Sequence, residues 1–340
     1  MGFEPTTFCM ASRRSSQLSY SRAAKKYRRG RLALPLRNFG YGPRAWGNYH
    51  GRGSGMHRKA LTALLGAVAA LVLLIAPSVA SAWAPADQAT VHPGVQVFTQ
   101  GAQCTANFVY QDASNVYLGQ AAHCSGTGAA TDTDGCDSAS LPIGTPVDVT
   151  GADHPGTMVY NSWLTMQSKH EGDADTCAFN DLALIKLDPA DVGKVNPSVP
   201  GLGGPTRVGS WGDTGSTVYS YGNSELRGGV AALSPKQGIV VQGTPSGWSH
   251  DVYTVTPGIP GDSGSGFMND TGGAIGVLST VQLAPLAGSN GVGNLGMELA
   301  YMRANAAQFS GVDLVPGTEP FTPDIVGAIQ KGVGVKGLGL

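Results

Sequence analysis

With 340 residues, 41% of them hydrophobic, 13% charged and 50 of them glycine, the chain is typical of a turn-rich β protein rather than a helical one, because glycine disfavours helix interiors. Residues 1–59 carry 13 of the 22 lysines and arginines, whereas residues 83–340 carry 9 basic and 22 acidic side chains. The acidic excess of this second part argues against a nucleic-acid partner and against binding to anionic lipid surfaces.

The N-terminal segment is expected to target the chain for export. Met56 begins a basic stretch, which is followed by an apolar run over residues 60–76 and by a small-residue site that ends at Ala82. This is the order of a secretory signal peptide, so we expect cleavage after Ala82 and secretion of the rest. The arginine-rich stretch 1–55 is interpreted as a disordered extension or as the product of a start codon placed too far upstream. A nucleic-acid arm, a longer targeting extension and a signal anchor are the alternatives.

Short β-rich runs bounded by turn residues then recur, as is typical of antiparallel barrels and sandwiches. They cover residues 106–110, 115–118, 182–187, 217–221, 239–242, 251–256 and 274–279. A connection over 188–205, rich in proline and glycine, separates two halves of ordinary domain size. The segment 299–309 predicts a short helix. The predicted divisions are a β domain over 83–190, a linker over 191–205, a β domain over 206–312 and an irregular tail over 313–340.

Four cysteines remain once the leader is removed, and they are Cys104, Cys124, Cys136 and Cys177. In an oxidising compartment an even number predicts two disulfides, with three possible pairings that the sequence does not rank. No Cys-x-x-Cys pair is present, which argues against structural zinc. The acidic run 132–137 lacks the glycine at position six and the distant glutamate of an EF-hand calcium loop, and it is interpreted as a solvated loop. We therefore predict no metal site.

Three segments carry the groups that acyl transfer by a serine requires, namely a nucleophile, a base, an orienting carboxylate and donors to an oxyanion. His123 stands beside Cys124, whose disulfide would fix the backbone under the imidazole. Asp181 lies at the start of an apolar strand, where it can be buried against a histidine. Ser263 lies in the loop 260–265, whose glycines let backbone N–H groups point at one spot.

In this order, these motifs resemble those of the trypsin-like (chymotrypsin-fold) serine proteases, including the secreted bacterial members. The resemblance implies an all-β fold of two antiparallel six-stranded barrels, with the active site in the cleft between them and a short C-terminal helix. It implies that His123 is the general base and then acid, that Asp181 orients it, and that Ser263 is the nucleophile. The backbone N–H groups of Gly261 and Ser263 would form the oxyanion hole.

The same resemblance implies a disulfide between Cys104 and Cys124, which flanks the family's histidine, and leaves Cys136 to pair with Cys177. It also implies a secreted serine endopeptidase that acts on polypeptide substrates without a cofactor. We expect a monomer with no nucleic-acid partner and no stable membrane association after signal cleavage.

The substrate pocket is where the chain departs from trypsin. Pro257 stands six residues before the serine, where trypsin has the aspartate that binds basic side chains. Val281 stands where relatives that admit large side chains have glycine, and Ser279 lies in the strand that pairs with substrate backbone. With Pro257, Ser279 and Val281 as pocket residues, we expect a preference for small or medium apolar side chains before the cleaved bond.

Activation is the second departure. No Arg or Lys followed by Ile-Val-Gly-Gly occurs between Ala82 and Cys104, so the sequence leaves open how a zymogen would be activated and what pairs with Asp262. In activated relatives that aspartate pairs with the new N-terminal amine. A catalytically silent binding protein on the same fold and a small-ester hydrolase remain the alternative functions.

Overall fold

Strands dominate the computed structural model, which describes residues 83–129, 132–282 and 287–332. Three predicted segments lie outside the described residues: the extension 1–55, the signal peptide 56–82 and the end of the tail, 333–340. Within the described ranges, no helix is long and apolar enough to cross a membrane.

The described residues form fifteen strands. In chain order they are β1 Gln96–Thr99, β2 Ala102–Thr105, β3 Val109–Gln111, β4 Val116–Ala121, β5 Pro146–Val149, β6 Gly156–Asn161, β7 Leu182–Lys186, β8 Arg207–Val208, β9 Thr217–Tyr221, β10 Pro235–Gly243, β11 Ser249–Thr254, β12 Gly266–Asn269, β13 Gly273–Gln282, β14 Ser289–Asn294 and β15 Asp313–Leu314. Most are rich in β-branched and aromatic residues, which fit a half-buried pleated surface.

The first sheet has eight strands in the order β15-β3-β4-β7-β6-β5-β1-β2, with every neighbouring pair antiparallel. Alternation of apolar and polar residues places one face inward: along β5, Val147 and Val149 are buried while their neighbours are exposed. The strand β15 returns from the end of the chain to pair with β3. This strand accounts for one of the two by which the sheet exceeds the six expected.

The second sheet closes on itself. Its strands follow the order β12-β9-β10-β11-β14-β13, and β13 pairs again with β12, which gives a closed antiparallel ring of six strands. The short β8 adds a parallel pairing to β13 outside this ring. The interior is filled by Val218, Val240, Val252, Phe267, Ile275, Leu278 and Val292. The predicted all-β fold of the chymotrypsin class, with two barrel-like sheets and few helices, is confirmed.

Four α-helices accompany the described strands: α1 Ser162–Lys169, α2 Ala174–Phe179, α3 Leu295–Asn305 and α4 Ile325–Gly332. The predicted helix over 299–309 is observed as α3 followed by a 3-10 turn, Ala307–Phe309. Its N-terminus is set by Asn294, whose side chain accepts hydrogen bonds from the N–H groups of Gly296 and Met297.

The predicted irregular tail instead contains β15 and α4. Helix α4 contains two glycines in eight residues, so its intrinsic helix propensity is low. Tertiary packing compensates, because Ala328 is buried against the backbone of Gly201 at a distance that leaves no room for a Cβ there. Such long-range packing is invisible to a local sequence pattern.

Both disulfides form between the cysteines that the resemblance implied. Cys104 at β2 pairs with Cys124 in the 3-10 turn that follows β4, and Cys136 pairs with Cys177 on α2. The first bond ties β2 to the turn that follows β4, and the second ties the acidic loop to a helix.

Candidate active site

His123 lies in the 3-10 turn Ala122–Ser125, directly after β4. The turn is fixed by the disulfide of Cys124 and by a 3.0 Å hydrogen bond from the N–H of Ala122 to the carbonyl of Asp181. The ring of Trp163 lies beside the imidazole, with 6.5 Å between the ring centroids. The side chain of His123 keeps 17% of its surface exposed to solvent.

Asp181 holds the histidine through both of its carboxylate oxygens. Its Oδ2 accepts from His123 Nδ1 at 2.7 Å, and its Oδ1 accepts from the backbone N–H of His123 at 2.9 Å. A carboxylate can only accept here, so Nδ1 carries the proton and Nε2 is left free to exchange one. Burial by itself would lower the pKa of His123, but the charge and the hydrogen bond of Asp181 raise it above its ordinary value of 6.5.

A third group binds the same carboxylate. The hydroxyl of Ser279, on β13, donates to Asp181 Oδ2 at 2.5 Å. The sequence predicts Ser279 as a residue of the substrate pocket, and in the structure its hydroxyl is bonded to Asp181. No sequence pattern indicates this contact, because the two residues are 98 positions apart.

The loop that carries Ser263 is held between the two sheets. The carbonyl of Ser263 accepts from the N–H of Thr105 at the end of β2, and the N–H of Gly264 donates to Leu278 on β13, each at 2.8 Å. Gly264 has a φ of +85°, and a Cβ there would lie 2.8 Å from the backbone nitrogen of Ala121. This close approach brings the serine loop against the start of the turn that carries His123.

Two backbone N–H groups of this loop are free to bind an oxyanion. Within the described residues, the N–H groups of Gly261 and Ser263 donate to no protein acceptor, whereas those of Asp262, Gly264 and Ser265 each donate to a carbonyl. Gly261 adopts a φ of +93°, a conformation that a residue with a Cβ rarely adopts. The free pair is the pair that the sequence predicted as oxyanion donors.

Asp262 is fully buried beside the serine and is paired with two cations. Its carboxylate accepts from the guanidinium of Arg227 and from Lys236 Nζ, the latter at 3.1 Å. The N–H groups of Ser224 and Ile259 also donate to it, at 3.0 and 3.1 Å. The partner of Asp262 that the sequence left open is therefore internal to the chain.

Burial shapes this cluster further. Burial lowers the pKa of Lys236 to about 8, and the nearby charge of Arg227 lowers it further by a smaller amount. The Asp262 charge acts in the opposite direction. Arg227 also donates to the carbonyl of Pro257 at 3.0 Å, so the cluster reaches from the serine loop to the predicted pocket.

The side chain of Asn290, on β14, spans the predicted substrate pocket. Its Oδ1 accepts from the N–H of Gly258 at 2.8 Å, and its Nδ2 donates to the carbonyls of Gly258 and Thr280, each at 3.3 Å. Gly258 follows Pro257 and Thr280 precedes Val281, so a fully buried amide joins the two walls that the sequence predicted. No motif in the sequence points to Asn290.

No family model and no curated protein matches the chain. Solved structures do resemble it. Protease A of Thermobifida fusca is 18% identical, with 67% of this chain and 99% of that one covered and a TM-score of 0.43. A glutamic acid-specific serine protease, described as using a histidine triad in substrate binding, is 15% identical over 66% and 100%, with a TM-score of 0.40. A serine endoprotease from Yersinia pestis is 15% identical over 65% of each chain, with a TM-score of 0.37.

A cavity of about 880 Å³ lies elsewhere in the molecule, and its lining contains none of the predicted catalytic residues. It is bordered by Trp83 and Pro85 near the start of the described chain, by Leu202 and by Ala328 on α4. In the described part of the chain, the two groups of side chains with metal-ligand spacing each include a disulfide. Because metal binding by cysteine needs a thiolate, neither group offers the sulfur ligands of a metal site.

Proposed function

We propose that the chain is a secreted serine endopeptidase that hydrolyses peptide bonds through an acyl-enzyme. The observation that carries this proposal is the Asp181–His123 hydrogen bond at 2.7 Å, next to a serine loop with two free backbone donors. An oriented base, a serine and a preformed oxyanion site are the parts that acyl transfer needs.

We propose the following reaction for these groups. His123 Nε2 takes the proton of Ser263 as its Oγ attacks the carbonyl carbon, and the N–H groups of Gly261 and Ser263 stabilise the oxyanion. The imidazolium, stabilised by Asp181, then gives that proton to the leaving amine. Water, deprotonated by the same imidazole, hydrolyses the acyl-enzyme and restores Ser263.

Secretion is supported by the two disulfides and by the signal-like segment 56–82. N-terminal sequencing of exported protein should give Trp83 as the first residue. A first residue upstream of Met56 would contradict the proposed leader.

We also propose that activity does not require a newly cut N-terminus. In activated relatives an N-terminal amine pairs with the aspartate before the serine, whereas here Arg227 and Lys236 pair with Asp262. Added residues ahead of Trp83 should therefore leave kcat/KM unchanged, and a large loss of activity would contradict this step.

For specificity, we propose a preference for small or medium apolar side chains before the cleaved bond. Asn290 occupies space between the pocket walls, and the branched side chain of Val281 lies on one of them. Both features leave less room than a pocket lined by glycine at these positions.

The test compares residues 83–340 with the same chain carrying Ser263→Ala. The wild type should digest casein and react with a fluorophosphonate, and the variant should do neither. If the folded wild type did neither, the enzyme proposal would fail in favour of a silent binding protein. Labelling without digestion would favour a small-ester hydrolase.

A further inference from the structure

Glu298 lies directly behind the Asp181–His123 pair and has no role in the mechanism above. It is on α3, it is fully buried, and its Oε1 accepts from the backbone N–H of Asp181 at 3.0 Å. Its Oε2 is buried too and has no hydrogen-bond partner among the described residues. A buried carboxylate with an unpartnered oxygen costs more free energy than the neutral acid in the same place.

The segment that carries Asp181 is held by two side chains. Glu298 accepts from its central N–H, while the hydroxyl of Ser162 donates to the carbonyl of Asn180 at 2.8 Å and accepts from the N–H of Leu182 at 3.2 Å. Both anchors fix the backbone that aims the carboxylate at His123. Only one of them can ionise.

Space for the Glu298 carboxyl comes from Gly293 on β14. A Cβ at Gly293 would lie 2.6 Å from Glu298 Oε1 and 3.1 Å from the carbonyl of Phe179. The glycine thus allows α3 to present the carboxyl to the backbone of Asp181.

Asp181 is the acidic group that faces Glu298, and it lies directly before β7. Lys186 is exposed at the other end of β7, and β13 and β14, which also pack against α3, contain no titratable residue. On α1, Lys169 is exposed at the far end. Tyr110 on β3 and Tyr160 on β6 are also close, because the Glu298 charge raises the pKa of both. Two more groups are on α3 itself: the Tyr301 charge raises the pKa of Tyr160, and the Arg303 charge lowers the pKa of Tyr110. In the described part of the chain no cation pairs with Glu298.

Burial raises the pKa of Glu298 to about 8, with the Asp181 charge adding to the effect and the Asp181 N–H opposing it. At neutral pH the side chain is therefore mostly a carboxylic acid. Above its pKa the Glu298 side chain becomes a second negative charge, unpaired and directly behind the Asp181 carboxylate. Such a charge repels the Asp181 carboxylate, and it also favours the protonated form of His123, which cannot act as a base.

We propose that Glu298 is a positioning residue, which holds Asp181 in place while it is protonated and disables the site when it ionises. The inference rests on the proposed endopeptidase function for its kinetic consequence, but the protonation state itself does not depend on that function. Activity should therefore have an alkaline limit that belongs to Glu298.

The kinetic test measures kcat/KM from pH 6 to pH 10 on a peptide with alanine before the cleaved bond. For the wild type, kcat/KM should fall above pH 8. Glu298→Gln keeps an oxygen acceptor for the Asp181 N–H but cannot ionise, so its plateau should extend at least one pH unit further. Ser162→Ala is the matched control: it weakens the same backbone segment but should keep the alkaline fall of the wild type. If Glu298→Gln kept that fall, the proposal would be wrong.

A second measurement needs no variant and no activity. The carboxyl carbon of Glu298 in the ¹³C-labelled wild-type protein, followed by NMR, should titrate near pH 8. Titration near the ordinary 4.5 would overturn the proposal even in an active enzyme. Titration near 8 in a protein that cleaves no peptide would refute the endopeptidase and leave the buried acid established.

Discussion

The guanidinium of Arg227 is paired with the carboxylate of Asp262, the residue directly before Ser263, and both side chains are almost wholly buried. This ion pair links the loop 225–227 to the loop that carries the proposed nucleophile. Because Lys236 pairs with the same carboxylate, one buried anion is held by two cations.

Replacement of Arg227 should therefore affect both stability and catalysis. Arg227→Met removes one of the two cations that pair with the buried Asp262 carboxylate. We expect the free energy of unfolding to fall by about 3 kcal/mol. The value of kcat should fall as well, because Asp262 stands between Gly261 and Ser263 in the chain and its buried carboxylate anchors the loop that carries both proposed oxyanion donors. Urea unfolding and peptide hydrolysis measure the two effects. Arg207→Met removes an exposed arginine of β8 and serves as the control; equal losses in the two variants would contradict the role of the pair.

Removal of the Ser279 hydroxyl should weaken the base. Ser279→Ala deletes a hydrogen bond to the charged Asp181 Oδ2, and a bond of this kind contributes about 1.5 kcal/mol, which corresponds to about a tenfold lower kcat. The value of KM should stay nearly constant, since the backbone of Ser279 is unchanged. Steady-state kinetics test this, with Ser168→Ala on the exposed face of α1 as the control. A change confined to KM would show that the hydroxyl contacts substrate instead.

Much of the site could be predicted because its signals are local. A histidine beside a cysteine, an aspartate before an apolar strand and a serine between glycines each occupy a few consecutive residues, and their order carried the resemblance. Strand alternation likewise predicted the all-β fold. The pairing of the cysteines followed from the resemblance and not from their spacing.

The residues that the sequence missed act across long separations. Asp262 and Arg227 are 35 positions apart, and Asp181 and Glu298 are 117 apart. Contacts between distant side chains depend on strand register and on the packing of α3. A local sequence pattern predicts neither of these. Asn290 was missed for the same reason, because its contacts span two walls of one pocket.

An opened pocket should admit larger side chains. Asn290→Gly removes the amide that joins the walls at Gly258 and Thr280. The ratio of kcat/KM for phenylalanine over alanine before the cleaved bond should rise by about tenfold or more. A peptide panel measures this ratio, with Asn305→Ala near the end of α3 as the control. An unchanged ratio, or a wild-type preference for arginine or lysine, would contradict the pocket assignment.

The acid side of the pH profile should report His123. Its pKa is raised above 6.5 by Asp181 despite burial, and the base must be neutral, so kcat/KM should rise with pH through a midpoint above 6.5. Stability changes with pH in the opposite direction to activity. The imidazolium–Asp181 pair stabilises the fold below pH 6.5, and this contribution is lost as the pH rises through the raised pKa of His123. Asp181→Asn should lower the kinetic midpoint and reduce kcat by about 10⁴-fold. An unshifted midpoint in that variant would contradict the pairing.

The proposed nucleophile is tested most directly by finding the residue that a fluorophosphonate modifies. The folded protein is labelled at pH 8, digested and sequenced by tandem mass spectrometry. One phosphonyl group on Ser263 is expected, with none in His123→Ala, because the serine needs its base to react. Modification of a different residue, or none on the folded wild type, would contradict the account.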